Sequence, residues 1–154
     1  MERRITEEQL TKAILEWLIT NNWEIIGYDF PQSGTGLSIH PNEELRTTKN
    51  KGAIIPDIVA IKNGTVIFFE NKDRFVLDDF IKVQDLRDNN DYSNSIQRLL
   101  AEFKYSKILY GVGLVHSENA ELKTKLHLDK IDFAIFYHGD KTIKIQFDPN
   151  KLFK

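Results

Sequence analysis

The chain has 154 residues, 41% of them hydrophobic and 11% aromatic, and a formal charge of −2, which argues against the broadly basic field of a non-specific polyanion binder. That length supports one domain, residues 1–154, with a real core, and leaves no room for two comfortable ones. With no cysteine, no bilayer-length apolar run and no apolar leader in "MERRITEEQL", disulfide and thiolate sites are excluded, and the expectation is a soluble, cytoplasmic protein with no membrane partner.

Residues 7 to 21, "EEQLTKAILEWLITN", place Leu10, Ile14, Trp17 and Leu18 on one stripe at helical spacing. Thr6 is the expected N-cap and Gln9, three residues on, its capping-box partner. "WEIIGYDFP" reads as a strand ended by Pro31 and the turn-rich "QSGTG". The polar stretch from Leu37 to Gly52 reads as a loop, and it contains Arg46, Lys49 and Lys51 with no acid between them.

An apolar hairpin follows, "AIIPDIVAIK" and "TVIFFENK" about Asn63-Gly64, the strongest short signal for a two-residue type I′ turn. Residues 78 to 104 read as two helical pieces divided at "DNNDYS", with Ile81, Leu86, Ile96, Leu99, Leu100 and Phe103 as apolar anchors. "KILYGVGLV" reads as a strand, "SENAELKTKL" as a short helix capped by Ser117, and "IDFAIFYH" with "KTIKIQF" as a closing hairpin. The Gly-x-Gly of "GVGLV" lacks the third glycine and following helix of a dinucleotide site. The order α, β, β-hairpin, α, β, α, β-hairpin predicts an α/β protein with a single mixed sheet flanked by helices.

The hairpin carries the chemistry. A two-residue turn sets Lys62 against Thr65, so Asp57 falls opposite Glu70, and period-two alternation puts Asp57, Glu70 and Lys72 on one face at one end. Opposed like charges on neighbouring strands are destabilising unless something compensates. A hard divalent cation such as Mg²⁺, which takes carboxylate oxygens, does so directly. An amine two residues beyond Glu70 would then orient or deprotonate water and stabilise charge on a phosphate. The plainer alternative is a hairpin end reaching solvent with an ordinary Glu–Lys surface pair.

Pro56-Asp57, then twelve residues, then Glu70-Asn71-Lys72 resembles the Pro-Asp…(Asp/Glu)-x-Lys signature of the restriction-endonuclease-like nuclease superfamily. The resemblance implies that superfamily's αβββαβ core and a Mg²⁺-dependent DNA endonuclease, with Mn²⁺ able to substitute. It implies Asp57, Glu70 and the backbone carbonyl of Asn71 as metal ligands and Lys72 as the catalytic lysine. The chain is also similar to Holliday-junction resolvases, in which a helical Glu and a loop Ser assist the site. Glu7 or Glu8 would be that Glu, with Glu7 preferred because it shares the apolar stripe, and Ser33 that Ser. The substrate would be a short duplex sequence or a branched junction. Both need two cuts, so a homodimer is expected. Arg46, Lys49 and Lys51 are candidates for DNA contact, beside the plainer alternatives of a solvated loop for them, a turn for Ser33 and a dipole-favoured first-turn acid for Glu7. The four histidines are scattered in sequence with no pair at metal-ligand spacing. The rival class is a nucleic-acid-binding or assembly subunit that keeps the nuclease fold without cleaving.

Overall fold

Asn63 and Gly64 both take positive φ, 51° and 80°, as a type I′ turn requires. Around them β2 (Ile58–Lys62) and β3 (Thr65–Lys72) pair antiparallel, with Lys62 opposite Thr65 and Ile58 opposite Phe69. This register is the one the turn predicts. The computed structural model describes residues 4–29 and 56–153; the expected loop with Arg46, Lys49 and Lys51, and Ser33 before it, lie outside the described residues.

The hairpin sits inside one six-stranded mixed sheet of order β1-β2-β3-β4-β5-β6. On one side β1 (Glu24–Tyr28) pairs antiparallel with β2. On the other, β4 (Lys107–Val115) runs parallel to β3 and β5 (Phe133–Tyr137) parallel to β4. Finally β6 (Ile143–Phe147) closes antiparallel on β5.

Each face is covered by helices, because each face presents alternate apolar residues that must leave water. Helix α1 (Glu7–Thr20) begins at a complete capping box between Thr6 and Gln9. It lays Leu10, Ile14 and Leu18 against Ile58, Ala60, Ile67, Phe69 and Phe133. Trp17, expected in the core stripe, is only partly buried and rests on Phe153 at 5.0 Å. On the opposite face α2 (Leu77–Asp88) and α3 (Ser93–Leu99) bring Phe80, Val83, Leu86 and Ile96 against Val59, Val66, Phe68 and Val112. Ile81, expected as an anchor, is instead 40% exposed. The buried stripe of α2 is Phe80, Val83 and Leu86, so of the two expected anchors Leu86 is in the core and Ile81 lies outside it, Phe80 and Val83 taking the remaining positions.

Helix α4 (Glu118–Lys125), capped by Ser117, belongs to the crossover from β4 to β5. The two glycines of β4 are explained by close approach. A Cβ on Gly111 would lie 2.4 Å from the Phe133 ring, and one on Gly113 would lie 2.5 Å from Ile14 Cδ1 and 2.7 Å from Asn71 Oδ1. Among the described residues no helix is long and apolar enough to cross a membrane.

Candidate functional site

Asp57 stands one step beyond β2, where the ladder ends, and its N–H donates to the Phe69 carbonyl at 3.0 Å, one residue short of the Glu70 that the turn's register sets opposite it. Its side chain is fixed too: Oδ2 accepts the backbone N–H of Asn71 at 2.7 Å. Alternation along β3 puts Glu70 on the face of Val66 and Phe68, which is the face α2 covers. The Asp57 carboxyl feels the charge of Glu70 at this end of the hairpin, and both residues are half-buried.

Lys72 points from the end of β3 to the first turn of α1, where its Nζ lies 3.2 Å from Glu7 Oε1. Glu8 is exposed, so Glu7 is the helical acid brought to the hairpin. The capping box that starts the helix at Thr6 is what sets Glu7 there. Asp73, the next residue after β3, is held by Arg4 and Arg74, each at 2.8 Å.

Asn71 faces the other way. Its side chain is buried under α1, with Nδ2 donating to Thr11 Oγ1 at 3.2 Å, while Oδ1 has no hydrogen-bond partner among the described residues. Any part it plays beside Asp57 and Glu70 therefore falls to its backbone.

Two residues of the cluster were not foreseen. Lys82 of α2 places Nζ 2.8 Å from Glu70 Oε1. Asp79, three residues earlier on the same helix, adds its charge to those felt by Glu70 and Lys72. Its Oδ2 is buried with no hydrogen-bond partner among the described residues. The stripe Phe80, Val83, Leu86 could have revealed both, because residues 79 and 82 border it on the helix surface.

The electrostatics follow from burial of like charges. Burial, and after it the charge of Glu70, pushes the Asp57 carboxyl up to about 8, with the Asn71 N–H and Lys82 opposing. Burial likewise raises Glu70 against the pull of Lys82, and raises Asp79 against Lys82 and Lys72. Burial alone would lower the Lys72 amine, but its hydrogen bond and charge interaction with Glu7 leave it above its ordinary value. Lys72 is thus a cation held by Glu7.

No three His, Asp or Glu side chains among the described residues gather tightly enough to hold an ion alone. The candidate set is two carboxylates, Asp57 and Glu70, hard oxygen donors of the kind that suit Mg²⁺ or Mn²⁺. Elsewhere on the same rim, two of the histidines scattered in sequence meet in space. His116 and His138 follow the parallel strands β4 and β5 and stack with ring centroids 4.1 Å apart, and His116 Nε2 lies 3.0 Å from Glu121 Oε2. Comparison of the chain with protein-family models, with curated proteins and with solved structures returns no match.

Proposed function

We propose that the protein is a divalent-cation-dependent DNA endonuclease and that α1, β1, β2, β3, α2 and β4 form a restriction-endonuclease-like core. One observation carries the reading. Asp57 and Glu70 crowd one end of a half-buried hairpin face, with Asp57 locked onto the Asn71 N–H. Charge supports it as well: Glu7, Asp57, Glu70 and Asp79 act on one another through the same space as Lys72 and Lys82. Once an incoming cation displaces the proton that burial keeps on Asp57, four carboxylates against two amines leave two negative charges, the complement of one divalent cation.

Mg²⁺ or Mn²⁺ would be held by Asp57, Glu70 and the Asn71 backbone carbonyl, and when bound would supply water activation and a counter-charge for phosphate. The chain's own residues do the rest. The Asn71 N–H orients Asp57, Glu7 keeps Lys72 charged and extended from the strand end, and Lys72 offers its remaining N–H donors to a water and to a phosphate oxygen whose charge grows during hydrolysis. On this reading Arg46, Lys49 and Lys51 contact the DNA backbone, Ser33 assists the site as the resemblance implies, and two copies of the chain make paired cuts in a cytoplasmic setting.

Supercoiled plasmid, linear duplex and a four-way junction, each with and without Mg²⁺, test the reading. Cleavage of one of them should require metal and should vanish in Asp57→Asn, Glu70→Gln and Lys72→Ala. Full turnover in any of the three variants sinks the assignment. The Lys82–Glu70 ion pair favours one second reading, a nucleic-acid-binding subunit whose acid pair is already neutralised. In that case neither Mg²⁺ nor Mn²⁺ raises the melting temperature, whereas a native-state ligand must.

A further inference from the structure

Lys82 lies between two acids. Its amine rests on Glu70 at 2.8 Å. Asp79 sits three residues earlier on α2, at a spacing that puts two side chains on neighbouring positions of one helix face. One oxygen of Asp79 is buried and has no hydrogen-bond partner among the described residues. A buried acceptor left unpaired is costly, so a carboxylate in that condition beside a mobile four-carbon amine is a second seat for the amine. Of the other charged groups that act on Asp79, Lys72 and Glu7 are paired with each other and Asp78 is a further acid, so Lys82 is the amine nearest at hand on the same helix.

We propose that Lys82 is an exchangeable internal cation, seated on Glu70 when no divalent ion is present and transferred to Asp79 when one binds Asp57 and Glu70. The inference rests on the metal-site reading above and adds a regulator to it. The amine competes with the metal for Glu70, and Asp79 offsets that competition by receiving the amine. Metal affinity is thereby set from α2, outside the ligand set, and a rotation of that helix would change it.

Calorimetric titration of Mn²⁺ into the full-length chain, without DNA, tests the exchange. Lys82→Met should bind Mn²⁺ about tenfold more tightly than the parent, within the usual range of coupling between sites. Asp79→Asn should bind several-fold more weakly. The double variant decides the mechanism: with no amine to receive, the Asp79→Asn change should lose most of its effect, a non-additivity that independent charges would not produce. Lys82→Gln, which keeps a hydrogen bond to Glu70 without the charge, should also bind more tightly and guards against a misfolded methionine variant. Equal or weaker binding by both Lys82 variants, or strict additivity in the double variant, overturns the exchange while leaving the metal site standing. Absence of Mn²⁺ binding in the parent and in both Lys82 variants overturns the metal-site reading and the exchange together.

Discussion

Asp57 is the residue whose environment departs furthest from that of a free carboxylate, and its behaviour is directly measurable. A carboxyl pushed up to about 8 keeps its proton in the folded chain over a range in which the unfolded chain has released it. Through that window the native state binds more protons, so stability falls as pH rises from the ordinary carboxylate range towards 8 and levels off above it. In chelator, the melting temperature should therefore decline across this interval. Asp57→Asn, which keeps an acceptor for the Asn71 N–H, should flatten the decline, and Mg²⁺ should restore most of the loss at the alkaline end. A melting temperature that rises with pH across the interval in the parent chain would contradict the assigned burial. Lys72 belongs to the opposite case. Its amine touches Glu7, so Lys72→Ala should abolish cleavage yet leave the Mn²⁺-induced rise in melting temperature within about a factor of three in affinity, the tolerance expected for a group outside the ligand set. Loss of metal binding in that variant would make Lys72 a structural prop of the acid pair. Asp57, Glu70, Lys72 and Glu7 were all legible in the sequence, because a two-residue turn fixes register and a capping box fixes where a helix begins. Lys82 and Asp79 were not. Leu86 is read correctly into the core, but with Ile81 named in place of Phe80 and Val83 the stripe of α2 is incomplete and the residues beside it go unseen.

At the scale of elements, hairpins are readable from one sequence and crossovers are not. The antiparallel pairs β2–β3 and β5–β6 announce themselves through their turns, Asn63-Gly64 and the positive-φ residues Gly139, Asp140 and Lys141. The parallel pairs β3–β4 and β4–β5 are joined through helices, so nothing local states their register. The stacking of His116 on His138 depends on that register and could not be read beforehand. The glycines of β4 have the same origin. "GVGLV" carries no cofactor fingerprint, and its glycines serve β4's neighbours: Phe133 presses on Gly111, while Ile14 and Asn71 press on Gly113. Gly113→Ala must push Ile14 or Asn71 aside, and overpacking of this kind costs about 1 to 3 kcal/mol. Chemical denaturation should show that loss. Because Asn71 also supplies the N–H that holds Asp57, the variant should weaken Mn²⁺ binding as well. A stability unchanged within about 0.5 kcal/mol, the range of ordinary surface substitutions, would mean that α1 does not approach β4 as closely as described.

For the whole molecule, the proposed function requires an acidic protein of net charge −2 to grip DNA through basic groups concentrated near the acid pair. The sheet supplies a direction. Strands β3 and β4 run parallel, with Thr65 beside Lys107 at one end and Lys72 beside Leu114 at the other. At about 3.3 Å per residue this separates Lys107 from Glu70, five positions along β3, by roughly 17 Å. Lys104 and Lys107 therefore sit at the wrong end to hold the phosphates flanking a cut. Lys123 and Lys125 are better placed, since α4 follows the C-terminal end of β4, and Lys123 already leans over the Phe75 ring at 5.9 Å, just beyond β3. The acid-free run from Arg46 to Lys51 also qualifies, because it immediately precedes Asp57 in the chain. Replacing Arg46, Lys49 and Lys51 together should weaken DNA binding across sequences and flatten the slope of log K against log salt by about one unit per lost phosphate contact. Mn²⁺ affinity should stay unchanged, because none of the three belongs to the ligand set. If the triple variant keeps the parent's affinity and salt slope, the phosphate contacts belong to α4, and the Lys123→Ala, Lys125→Ala pair should then produce the flattening that the loop did not.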